Sequence, residues 1–150
     1  MIETIRDFHL ISDAVSTSGQ PTPEQFSIIF EAGYQIVINL ATSSSDNALA
    51  NEGEIVTDLG IVYVHIPVLW DNPQLQDIQR FFRVMQAFES EKIWVHCAKN
   101  MRVSCFIYLW QKYVLQLSEE QARYPMNQIW QPMGVWQQLI DESEAALANY

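Results

Sequence analysis

The feature that most constrains the fold is the alternation of strand-like apolar runs with helix-like runs along the chain. Predicted strands cover residues 34–40, 61–68 and 92–97, and residues 9–19 predict two short strands or a hairpin. Predicted helices cover residues 22–33, 46–60, 73 to about 90, 103–116, a short stretch from 118 and roughly 133–148. Such alternation indicates a central, mostly parallel sheet with helices on both faces. We therefore predict one α/β domain over residues 1–150.

Several predicted helices carry recognisable start signals. Thr22 begins a capping box and is followed by a proline at the first turn. Asn72 precedes Pro73 and predicts the start of another helix, and Ser118 begins a second capping box. The 103–116 segment is apolar on nearly every face, which predicts a buried helix.

Composition restricts the classes of partner. Nearly half of the residues are apolar, so the chain can form a core, and its formal charge of −10 argues against nucleic acids and anionic membranes as partners. No run is long enough for a membrane span, and the N-terminus does not resemble a signal peptide. Two cysteines make no disulfide framework and favour a reducing compartment, and Cys and His are too scattered for a metal site. We predict a cytoplasmic protein without a metal.

The sequence VHCAKNMRVS (95–104) carries the chemistry. A turn from the end of a strand into a helix points backbone N–H groups and the positive end of the helix dipole at one spot. That field favours the thiolate of Cys97, and the planar guanidinium of Arg102 can bind two oxygens of a phosphate. Asn100 tolerates a left-handed backbone in mid-loop. With only eight Lys and Arg in the chain, the placement of Lys99 and Arg102 near Cys97 points to an anion. These residues predict phosphoryl transfer through a cysteinyl-phosphate.

This motif resembles the cysteine-dependent protein tyrosine and dual-specificity phosphatases, whose signature is His-Cys, five residues, Arg and then Ser or Thr. The likeness extends to ISDAVSTSGQPTPEQFSIIFEAGYQIVINL (11–40), to the strand ending VHIPV (64–68) and to the order of elements. In these features the chain is similar to a group of small bacterial dual-specificity-like phosphatases, over roughly residues 8 to 115.

The resemblance implies a role for each matched residue. Cys97 would be the nucleophile, and His96 would orient the loop. Asp71 would be the general acid, with Asp77 next in line. The residues that would bind the phosphoryl group or the leaving thiolate are Ala98, Lys99, Asn100, Met101, Arg102 and Ser104. The family needs no cofactor, and its substrates would be phosphotyrosine in a phosphorylated protein or a small phosphorylated molecule.

The spacing leaves alternatives open. Four residues, not five, separate Cys97 from Arg102. Either the loop is one residue shorter and Arg102 faces the phosphate, or the loop has full length and Val103 occupies the arginine position. The second case predicts a phosphate-binding module without turnover. A Cys-x4-Arg loop also resembles rhodanese-type sulfurtransferases, although His before the cysteine and the GQPTPEQ segment are foreign to them.

Some residues also have simpler structural interpretations. Cys105 lies in an apolar helix-like run and is predicted to be a core residue. Asp71 could equally be a turn residue before a helix. Trp130 and Trp136 are predicted to pack between helices rather than to form a ligand site.

Overall fold

A computed structural model describes all 150 residues and has the predicted α/β architecture. The five strands are β1 (His9–Leu10), β2 (Val15–Ser18), β3 (Ile36–Asn39), β4 (Val62–His65) and β5 (Ile93–His96). They form one sheet in the order β1-β2-β5-β3-β4, in which β1 is antiparallel to β2 and the other pairs are parallel. The prediction of a mostly parallel sheet is confirmed, and residues 9–19 form the predicted hairpin.

Helices cover both faces of this sheet. They are α1 (Pro23–Glu31), α2 (Glu52–Asp58), α3 (Leu75–Ala87), α4 (Met101–Tyr113), α5 (Glu119–Ile129) and α6 (Val135–Leu147), after a short 3-10 turn at Ile2–Thr4. Alternate strand residues point into two separate cores. Val37 and Trp94 pack with α1 and α2 on one face, whereas Ile38 and Val95 pack with α3, α4 and α6 on the other. None of the helices is both long and apolar enough to cross a membrane.

Polar residues lie in register at the carboxyl ends of the four parallel strands. His96 of β5 is opposite Ser18 on one side and Asn39 on the other, and Asn39 is opposite His65. In sheets of this type, ligands bind outside the carboxyl ends of the strands. Because β5 lies in the interior of the sheet, the residue after it, Cys97, emerges at the middle of that edge.

Three predicted helix starts are wrong, each for an identifiable physical reason. α2 begins at Glu52 rather than at 46, because residues 42–51 form a loop whose Asn47 side chain donates to the Ala98 carbonyl at 3.1 Å. α4 begins at Met101, because Asn100 takes a left-handed conformation (φ 65°) and starts the helix there.

The third incorrect start belongs to α3. The Asn72 side chain does not cap a helix. It accepts a hydrogen bond from the Gln74 side chain at 2.8 Å. The carboxylate of Asp77 instead accepts from the Gln74 backbone N–H at 3.3 Å, and the helix begins at Leu75. Asp77, the second predicted acid, is therefore a nearly buried helix-cap residue.

Candidate active site

The loop from β5 to α4 is held by contacts to the N-terminal part of the chain. Asn100 donates from its side-chain amide to the carbonyl of Asp7 at 2.9 Å and to Oγ1 of Thr17 at 3.0 Å. The Ala98 carbonyl accepts from the backbone N–H of Gln20 at 3.1 Å. At Gly19 a Cβ atom would lie 2.7 Å from that same carbonyl, so only glycine allows this approach. The left-handed backbone predicted for Asn100 is confirmed and fixes the loop geometry.

A cavity of about 570 Å³ opens above this loop, and Cys97 and Arg102 both line it. Val103 is instead fully buried in the apolar core. Arg102, in the first turn of α4, therefore lies at the cavity, and the chain has the shorter of the two predicted loops. Both residues are almost completely enclosed, at 1% exposure for Cys97 and 7% for Arg102.

The guanidinium of Arg102 has no protein partner for its charge. Its buried Nε has no hydrogen-bond acceptor, and no carboxylate lies within ion-pair distance. The guanidinium does lie over the ring of Trp70, whose centroid is 5.6 Å from Cζ, but that ring carries no negative charge. A buried cation without an acceptor is costly unless an anion binds to it. The arrangement therefore favours an anionic ligand beside Cys97.

The two cysteines have different surroundings. Cys105 lies in the core of α4 with no exposure, and burial raises the pKa of its thiol to about 12. The prediction that it is a core residue is confirmed. Both cysteines are free thiols, but Cys97 lines the cavity and Cys105 does not.

Two buried polar residues, His96 and Glu52, support the loop. The Cys97 carbonyl accepts a hydrogen bond from Nδ1 of His96 at 3.1 Å, and Nε2 of His96 is 2.7 Å from Oε2 of Glu52. The other oxygen of Glu52 accepts from the Gln20 amide at 2.6 Å. Burial alone would raise the pKa of Glu52, but the hydrogen bond and charge of His96 bring it below its ordinary value. Glu52 was not predicted, because it lay in the middle of the predicted helix over 46–60, where a glutamate resembles an ordinary solvent-facing residue.

The hydroxyl of Ser104 forms hydrogen bonds to residues other than Cys97. Its hydroxyl donates to the Met101 carbonyl at 2.7 Å and accepts from the indole N–H of Trp130 at 3.0 Å. The resemblance implies a hydrogen bond from Ser104 to the Cys97 thiolate as it leaves, whereas in this structure the hydroxyl is bonded to the Met101 carbonyl. Trp136 is buried in the core and Trp130 packs against that core, which confirms the predicted packing role, and both rings also lie 5.5 Å from the ring of Trp70.

The structure brings together most, but not all, of the predicted site residues. Those that line the cavity are Cys97, Ala98, Lys99, Met101 and Arg102, with His96, Asn100 and Ser104 in the surrounding shell. Asp71 is exposed in a turn and does not line the cavity, although its neighbour Trp70 does. Sequence reasoning missed Arg6, Asp46 and Trp70, which also line it. The Ser-rich, Asn-containing run around Asp46 is a loop signal that could have placed that residue.

Comparisons with known proteins agree with this architecture. The structure of a candidate phosphatase (DUF442) from Shewanella putrefaciens CN-32 is 36% identical with a TM-score of 0.87, covering 97% of this chain and 96% of that one. PTPMT1 in complex with PI(5)P is 13% identical with a TM-score of 0.78 over 94% of this chain and 96% of that one, a likeness of fold alone.

A curated relative and a family model also match. The beta-lactamase hydrolase-like protein of Xylella fastidiosa (strain Temecula1) is 30% identical over 95 residues, which is 61% of this chain and 22% of that protein. This chain thus spans about a fifth of the length of that relative. The family model described as a DSP-PTPase phosphatase fused to NAD+ kinase matches residues 9–143. The resemblance to small bacterial dual-specificity-like phosphatases is confirmed, and the chain belongs to this phosphatase family.

Proposed function

We propose that the chain is a phosphoric monoester hydrolase that acts through a cysteinyl-phosphate on phosphotyrosine or on a small phosphorylated molecule. The observation that carries this proposal is the buried Arg102 guanidinium, whose Nε has no acceptor and which lines one cavity with Cys97. A cation in that setting suits a phosphoryl group. The phosphatase family to which the chain belongs supports this proposal over a rhodanese-like sulfurtransferase.

In the first proposed step the Cys97 thiolate attacks phosphorus. The S–P bond forms as the P–O bond to the leaving group breaks, and a carboxylic acid gives its proton to the leaving oxygen. Arg102 and the N–H groups of the loop at the start of α4 bind the three equatorial oxygens, where charge is carried in the transition state. His96 is a positioning residue, since it bonds to the Cys97 carbonyl and does not line the cavity, and Glu52 acts through its bond to His96.

In the second proposed step a water molecule attacks phosphorus. The S–P bond breaks, the sulfur leaves as a thiolate, and the carboxylate takes the proton of the water. Inorganic phosphate is released and the enzyme returns to its starting state. No cofactor takes part in either step. Stabilisation of the leaving thiolate by Ser104 would require its hydroxyl to exchange the Met101 carbonyl for the Cys97 sulfur.

Asp71 is the proposed general acid. It is exposed, forms no ion pair or side-chain hydrogen bond, and follows Trp70, which lines the cavity, so a local movement of the turn would bring it to the substrate. Asp46 is the competing carboxylate, since it lines the cavity directly. The two residues belong to different loops, so their roles are separable by mutation.

The test of the proposed function is turnover of an aryl phosphate with and without vanadate. Cys97→Ser should abolish turnover, because an unactivated hydroxyl does not replace a thiolate at neutral pH. Cys105→Ser is the matched control and should retain turnover, with some loss of stability from a buried hydroxyl. Vanadate should inhibit the wild-type enzyme. Turnover that persists in Cys97→Ser would contradict the mechanism.

The second candidate function is a phosphate-binding module that has lost turnover. It is favoured by two observations: the Ser104 hydroxyl is engaged by Met101 and Trp130, and Asp71 does not line the cavity. In this case the wild-type protein would bind inorganic phosphate through Arg102 and hydrolyse no aryl phosphate at all. Single-turnover measurements at high protein concentration separate this case from a slow enzyme.

A further inference from the structure

The cations of this acidic chain are concentrated at the proposed active site. Three of its eight Lys and Arg residues, Arg6, Lys99 and Arg102, line the 570 Å³ cavity, although the chain carries a formal charge of −10. Asp46 is the single carboxylate that lines it. The other large cavity, of about 560 Å³, is lined by two glutamates and by no cation. The cavity at Cys97 therefore has the more positively charged lining of these two cavities.

Arg6 and Lys99 are free to bind a ligand. Lys99 is exposed and has no carboxylate within ion-pair distance. Arg6 contacts only its neighbour Asp7, with 3.3 Å between Nε and Oδ2, and both side chains are about half exposed. Such a surface pair is weak. The backbone holds Arg6 in place, because its carbonyl accepts from the Gly19 N–H at 2.8 Å and the next carbonyl, that of Asp7, accepts from Asn100.

The cavity is much larger than one phosphoryl group. Its volume lies within the roughly 300–1,000 Å³ of pockets that enclose small organic ligands. Arg102 and the loop amides account for a single phosphoryl group beside Cys97. The exposed side chains of Arg6 and Lys99 therefore remain for another group, although the resemblance implied that Lys99 binds the phosphoryl group itself. Trp70, 44% exposed, adds an aromatic wall to the same cavity.

We propose that the substrate is a small organic molecule that carries a second anionic group, which Arg6 and Lys99 bind while the body of the molecule packs against Trp70. The proposal rests on the proposed function for the position of the first phosphoryl group. A small molecule is favoured over an acidic phosphopeptide, because the two cations and Trp70 line one concavity together with Cys97.

The experiment is calorimetric binding to Cys97→Ser protein, which requires no turnover. Adenosine 3′,5′-bisphosphate is compared with adenosine 5′-monophosphate, and glucose 1,6-bisphosphate with glucose 6-phosphate. At least one bisphosphate should bind about tenfold more tightly than its monophosphate, as expected for two partly exposed charge contacts. Adding Arg6→Ser and Lys99→Gln should reduce that ratio to below about threefold, and Arg6→Ser alone should lower it while leaving the affinity for inorganic phosphate nearly unchanged. Adding Arg83→Ser instead, which removes an exposed arginine outside the cavity, should preserve the preference.

Three results would overturn this inference. The bisphosphates could bind no better than the monophosphates, or their preference could survive the loss of Arg6 and Lys99. Alternatively, a phosphotyrosine peptide flanked by acidic residues could gain more from the two cations than either bisphosphate does, which would identify a protein substrate. By contrast, wild-type protein that hydrolyses no monoester would contradict the proposed function without changing these binding results.

Discussion

Replacing Arg102 by methionine should make the unliganded protein more stable while it removes phosphate binding. Arg102 is only 7% exposed, and its Nε has no acceptor. An unsatisfied buried polar group costs about 1–3 kcal/mol. The cation–π contact with the Trp70 ring, at 5.6 Å, offsets about 0.5–1 kcal/mol of that cost. Methionine fills a similar volume without a charge, so we expect the free energy of unfolding to rise by about 1 kcal/mol.

The assay is urea unfolding followed by far-ultraviolet circular dichroism, with and without inorganic phosphate. At a phosphate concentration of about 100 times Kd, linkage should raise the wild-type free energy of unfolding by about 2.7 kcal/mol. Without phosphate, the free energy of unfolding of the Arg102→Met protein should be higher than that of the wild type, and adding phosphate should not change it. A loss of more than about 1 kcal/mol in Arg102→Met, or a phosphate response that survives, would refute the view that Arg102 is a buried cation held for an anion.

Two further variants test the position of the arginine itself. Arg102→Lys keeps a positive charge but not the planar fork, so it should severely reduce activity. The exchange Arg102→Val with Val103→Arg should eliminate phosphate binding and destabilise the fold, because Val103 is fully buried in the apolar core. A gain of activity in the exchanged protein would show that the native loop places its arginine wrongly.

The remaining predictions concern the acid and the buried glutamate. If Asp71 is the acid, Asp71→Asn should slow aryl phosphates with poor leaving groups by about 10²–10⁴ and spare those with good ones. If that selective loss appears in Asp46→Asn instead, the acid comes from the other loop. The pKa of Glu52 is lower in the folded protein than its ordinary value of 4.5, so the ionised carboxylate stabilises the fold at pH values above 4.5. This stabilisation is lost as the pH falls through the folded-state pKa. In urea unfolding at pH 6 and pH 4, Glu52→Gln should therefore lose less stability on acidification than the wild type, and an equal loss would show that Glu52 does not titrate with folding.

Local sequence signals predicted those parts of the fold that local interactions determine. The capping boxes at Thr22 and Ser118 are formed as expected, because their partners lie within one helical turn. The start of α3 is an exception among the local features, since the Asp77 carboxylate binds the Gln74 N–H and Asn72 bonds to the Gln74 side chain instead of to a helix amide. The loop at residues 42–51 was also missed, because contacts such as that of Asn47 with Ala98 join residues far apart in the sequence.

The same distinction applies to the site. Cys97, Lys99 and Arg102 were predictable because a single loop carries them. Arg6 and Trp70 reach the cavity only through the topology of the sheet, which brings the N-terminal segment and the loop after β4 to its carboxyl edge. No periodicity or motif marks such residues in a single sequence.

The most direct test of the central claim is detection of the covalent intermediate. Wild-type protein is mixed with an aryl phosphate, quenched in acid within the first turnover, and digested for mass spectrometry. We expect one phosphoryl group on the peptide that contains Cys97, none on Cys105, and none in Cys97→Ser. Turnover without a phosphorylated Cys97 peptide in the quenched protein would contradict the cysteinyl-phosphate mechanism.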